Sequence, residues 1–124
     1  MSEDISNLPP QVQERLLRMQ QLQQTLQSIL AQKQQVELET SETEQASAEV
    51  QKLVDDAVIY KTIGSLMIKS EKAKIAAELN ERKDLLGTRV TVLTKQEERL
   101  RAQLKEVQTK LQQDLKPVSP SSQP

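Results

Sequence analysis

A mainly α fold is predicted: a long antiparallel coiled-coil hairpin with a β-hairpin at its centre. Three observations carry this. Prolines stand only near the two ends, at Pro9 and Pro10 and again at Pro117, Pro120 and Pro124. Leucines recur every seven residues through the second half. A β-branched run brackets Gly64, close to the midpoint of the 124 residues.

Composition excludes an ordinary globule. Tyr60 is the one aromatic residue, whereas globular cores draw much of their buried area from aromatic side chains. The abundance of Leu, Glu, Lys, Arg, Ala and Gln, with two Gly, suits long helices sharing a narrow seam. Basic and acidic residues nearly balance, 17 against 18. That leaves no general pull toward nucleic acid. Neither Cys nor His is present. A disulfide framework, a thiol nucleophile and the commonest metal ligand and general base are therefore missing. No catalytic residue, metal site or cofactor is expected. The opening MSEDISNLPP is acidic and lacks the apolar run of a signal peptide. No apolar run approaches the ~20 residues of a membrane span. A cytoplasmic protein without membrane contact is the expectation.

The first helix is expected over residues 10–54, because proline suits a first helical turn. Val12, Leu16, Met19, Leu22, Leu26, Ile29, Val36 and Val50 form one stripe at spacings of three, four or seven. Lys33, Thr40, Thr43 and Ser47 also fall on it, so this stretch reads as a weak seam, mobile or loosely paired. The second helix is expected over 71–116, with Ser70 as N-cap and Glu71 beside the positive helix end. Leu79, Leu86, Leu93, Leu100 and Val107 make one heptad row. Lys83, Val90, Glu97, Leu104 and Leu111 make the other. Residues 117–124 read as a disordered tail.

Between the helices, 57–69 reads as a β-hairpin. Val58, Ile59, Tyr60 and Ile63 precede Gly64, and Leu66, Met67 and Ile68 follow it. A type I′ loop at Ile63-Gly64 would force Ile to positive φ. The expected turn is type I over Thr62-Ile63 with Gly64 left-handed in a bulge. Equal arms of 45 and 46 residues around this turn imply antiparallel pairing. Paired positions then have numbers summing to about 129: Val54 with Ile75, Val50 with Leu79, Ile29 with Leu100. Lys33 and Glu97 meet in this register, as a register-setting ion pair or merely as an exposed part of a weak seam.

A lone two-stranded hairpin is marginal in water, and this one is apolar on both faces with open edges. Either it joins other subunits or it folds back onto its own helices. The run Asp55-Asp56-Ala57-Val58-Ile59-Tyr60-Lys61-Thr62-Ile63-Gly64-Ser65-Leu66 resembles the signature of β-class prefoldin subunits, in which a Val-x-Tyr-Lys-x-x-Gly core begins the hairpin. The opening Leu8-Pro9-Pro10-Gln11-Val12-Gln13 is similar to that of archaeal members. Gly87 and the residues after Pro117 have no counterpart in that pattern.

The resemblance implies a hexamer of two α-class and four β-class prefoldin subunits, with hairpins joined into an intersubunit β-barrel. It assigns Val58, Ile59, Tyr60, Leu66, Met67 and Ile68 to oligomerisation. It implies a holdase that captures unfolded protein clients at coiled-coil tips without ATP and delivers them to a group II chaperonin. The antiparallel arrangement brings Leu8, Pro9, Pro10, Val12 and Leu16 near Leu111, Leu115 and Val118, which are the expected client contacts. For Val12, Leu16 and Leu111, simple continuation of the seam is the other reading. A generic coiled-coil scaffold or tether is the alternative function, although it needs no β-branched hairpin at its midpoint. An enzyme lacks a concave scaffold here, and a nucleic-acid binder lacks stacking aromatics.

Overall fold

The computed structural model describes residues 7–115. The elements in order are α1 (Pro10–Gln51), β1 (Ile59–Ile63), β2 (Leu66–Ser70) and α2 (Lys72–Leu115). The expected tail at 117–124 lies outside the described residues. Two compact units are present. Residues 7–31 and 95–115 form a terminal unit, and residues 32–94 form a central unit.

In the terminal unit, Pro10 opens α1 in the first turn, where a missing N–H loses no helical bond. The Pro9 carbonyl accepts from the amides of Val12 and Gln13 at 3.0 and 3.1 Å. Gln13 Nε2 closes back onto the Leu8 carbonyl at 2.7 Å. Leu22, Leu26 and Leu104 form the buried core of this unit, with Met19, Leu100 and Val107 packed against them. Early residues of α1 thus meet late residues of α2, and Arg15 pairs with Asp114. The two helices run antiparallel in the expected register.

In the central unit, Val50 and Leu79 line one groove, which continues that register. The same register sets Val36 opposite Leu93 and Thr43 opposite Leu86, and all four are buried. The seam expected to be weak at Thr43 is closed, with that side chain only 4% exposed. Its hydroxyl donates to the Glu39 carbonyl at 2.8 Å, as Thr40 does to Val36. A threonine that satisfies its hydroxyl on its own helix presents a methyl group to the seam. Lys83 departs from its heptad row and stands in solvent, where its ammonium keeps its hydration.

Three local expectations change. First, α1 ends at Gln51 and Val54 is exposed, so the Val54–Ile75 pairing does not form a seam contact. The amides of Lys52 and Leu53 turn tightly onto the carbonyls of Glu49 and Val50. Lys72 Nζ then donates to the Leu53 carbonyl at 2.6 Å and the Gln51 carbonyl at 3.4 Å, and pairs with Asp55 at 3.6 Å. A cation supplied by α2 thereby holds the negative end of α1. Second, Ser70 is the last residue of β2, paired with Ile59, and not a cap. The first helical bond of α2 runs from the Ile75 amide to the Glu71 carbonyl at 3.0 Å, placing the cap at Glu71. Third, the hairpin pairs Ile63 with Leu66, leaving a two-residue loop of Gly64 and Ser65 with no bulge. Gly64 has φ of 56° and no other residue has positive φ among those described. Glycine first with an ordinary second residue is the pattern of a type II′ turn, whose twist matches the strands.

Candidate functional site

The β-hairpin is a two-stranded antiparallel sheet, so each strand is also an edge with unpaired backbone groups. Cross-strand partners share a face. Ile59, Lys61, Ile63, Leu66, Ile68 and Ser70 form one face; Tyr60, Thr62, Met67 and Lys69 form the other. Five of the six residues expected to act in oligomerisation are exposed: Val58, Tyr60, Leu66, Met67 and Ile68, with Met67 at 70%. Ile63 joins them, although it stands outside the expected set.

Ile59 is half-buried, because the base of β1 turns toward the helices. There it lines a groove with Val50, Ile75, Leu79, Tyr60 and Leu85. Lys61 Nζ reaches Glu78 Oε2 on α2 at 2.8 Å and fixes the base of the hairpin against that helix. The hairpin is therefore anchored at its base, while its outer part is uncovered. The sequence offered no signal for the Lys61–Glu78 pair, since the two positions lie on elements of different period.

The expected client contacts separate in the terminal unit. Val12 and Leu111 are 4% and 5% exposed and Leu16 is half-buried. They continue the seam. As they stand, Val12 and Leu111 have almost no surface to offer another chain. Leu8 is half-buried, and Pro9, Pro10 and Leu115 are exposed. Leu16, Met19, Leu111 and Leu115 line an open groove, and Leu17 stands exposed beside it. Val118 lies outside the described residues. Opposite charges flank this surface: Arg15 meets Asp114, and Lys110 meets Glu106 at 3.1 Å. The Arg15–Asp114 pair was open to the sequence, for its numbers obey the register of the seam.

Among the described residues, no cluster of carboxylates or other metal-binding side chains could hold a metal ion. No described helix is long and apolar enough to cross a membrane. The described residues form antiparallel helices with a largely uncovered apolar hairpin between them. That class of architecture matches known proteins closely. The sequence profile of the prefoldin subunit family matches residues 13–117. The prefoldin subunit beta of Methanothrix thermoacetophila is 47% identical over 113 residues, covering 91% of this chain and 94% of its own. That of Thermococcus gammatolerans is 48% identical, covering 91% and 97%. The crystal structure of the prefoldin beta subunit from Thermococcus strain KS-1 superposes with a TM-score of 0.84 at 44% identity, covering 90% of this chain and 98% of that one. The chain belongs to the prefoldin subunit family, a family of non-enzymatic chaperones, and within it to the archaeal-type β class.

Proposed function

We propose that this chain is the β-class subunit of a cytoplasmic, ATP-independent holdase. Its hairpin joins those of other subunits in a β-barrel, giving a hexamer of two α-class and four β-class subunits. The terminal units then hold non-native proteins and deliver them to a group II chaperonin.

The observation that carries this reading is the uncovered hairpin. Val58, Tyr60, Ile63, Leu66, Met67 and Ile68 together expose apolar surface on both faces of a sheet with two open edges. Covering one such side chain stabilises by roughly 1.5–3 kcal/mol, and strand addition satisfies the edge backbone. Neighbouring hairpins offer both. The exposed Leu17, Leu115, Pro9 and Pro10 offer small apolar contacts, each weak alone. Several terminal units acting on one client add up through effective concentration. Apolar segments of unfolded chains are the partner that such contacts suit.

The test places one carboxylate on each hairpin face. Met67→Asp with Ile68→Asp should preserve far-ultraviolet helicity, because both side chains lie outside the helix seam. Native mass measurement should show no hexamer with an α-class subunit. A normal hexamer from that variant would refute the assembly reading.

A further inference from the structure

Asp114 lies in the last described turn of α2, where no described residue is basic. A carboxylate there faces the negative end of the helix dipole, an unfavourable position unless a cation offsets it. Arg15 of α1 supplies that cation. Its Nη1 donates to Asp114 Oδ2 and lies 3.4 Å from the Lys110 carbonyl. The two side chains are only 25% and 20% exposed, so water screens the pair less than it would at the surface. The seam beside this pair holds Val12 and Leu111, both buried.

We infer that the Arg15–Asp114 pair is a latch that keeps the ends of α1 and α2 together and so withholds Val12 and Leu111 from clients. The inference rests on the proposal that the terminal unit binds non-native chains. A latched end presents Leu17 and Leu115; an unlatched end adds Val12 and Leu111. Clients bind the unlatched form more tightly, and their apparent affinity scales with its population. The pair thus restrains affinity, which favours release of the client.

The test uses the full-length chain assembled with the α-class subunit of the same organism. Arg15→Gln and Asp114→Asn each remove one charge with little change in shape. Without any client, hydrogen exchange should speed at amides of residues 12–19 and 108–115 and stay unchanged at 59–70. Affinity for reduced, carboxymethylated α-lactalbumin should rise about two- to fivefold in each variant, the range a partly exposed ion pair supports. The double variant should match the single ones, and the exchanged pair Arg15→Asp with Asp114→Arg should return toward wild type. Unchanged exchange overturns the latch. Faster exchange with unchanged or weaker affinity shows a structural pair only, which also overturns it. The underlying client-binding proposal is read separately: it fails if Leu17→Ser with Leu115→Ser leaves wild-type affinity intact.

Discussion

At the scale of single residues, the two glycines have opposite meanings. Gly64 occupies the left-handed region at φ 56°, and a Cβ there meets no atom within 4 Å. Substitution by Ala is therefore resisted by backbone conformation alone, at a cost of about 1–2 kcal/mol. Gly87 lies inside α2 at an exposed position, again with nothing near a new Cβ. There Ala lowers the entropy of the unfolded chain and should stabilise by about 0.5–1 kcal/mol. Thermal unfolding of the assembled protein, followed by circular dichroism, should show Gly64→Ala lowering the midpoint and Gly87→Ala raising it. Shifts of the same sign would contradict this account. Thr43 makes a similar point about side chains. A polar residue is tolerated in the seam because its hydroxyl is satisfied by the carbonyl of Glu39 one turn earlier.

Elements are held in place by register and by their ends. The pairing that brings Arg15 to Asp114 also puts Leu22 and Val107 in the wall of one groove. Cysteines replacing Leu22 and Val107 should crosslink within one chain under mild oxidation. Cysteines replacing Val12 and Val107 should not, because Val12 lies ten residues from Leu22 on α1, roughly 15 Å along the helix. Equal crosslinking, read by gel mobility without reductant, would reject the register. At the other end of α1, three carbonyl and carboxylate partners converge on Lys72. That lysine joins the close of one helix to the start of the next.

For the whole molecule, the proposed function assigns assembly and client contact to separate residues. The hairpin's exposed side chains belong to the central unit, and Leu17 and Leu115 belong to the terminal unit. Leu17→Ser with Leu115→Ser should therefore leave the hexamer intact while weakening protection of an unfolded client against aggregation, measured by light scattering. The loss should be partial, since other apolar contacts remain. Added ATP should change nothing, and moderate salt should not weaken binding, because screening acts on charge and leaves apolar burial untouched. Full protection by this variant would move the client surface elsewhere.

By itself, the sequence determined the helix–hairpin–helix order, the antiparallel pairing, its register and the family. The order, pairing and register follow from repeated patterns: heptads, terminal prolines, and a β-branched run around one glycine; the family follows from the resemblance of residues 55–66 to the β-class signature. Each pattern is spread over many residues, so no single local preference can overturn it. The tertiary structure alone decided the features that depend on individual partners. Gln51 ends α1 because Lys72, distant in sequence, holds the carbonyls there. Ser70 became a strand residue because Ile59 pairs with it, and the loop tightened to Gly64-Ser65 because Ile63 pairs with Leu66. Periodicity likewise places Val12 and Leu111 near the chain ends but does not say whether they are covered. Burial is a relation between two surfaces, and a one-dimensional pattern shows only one of them.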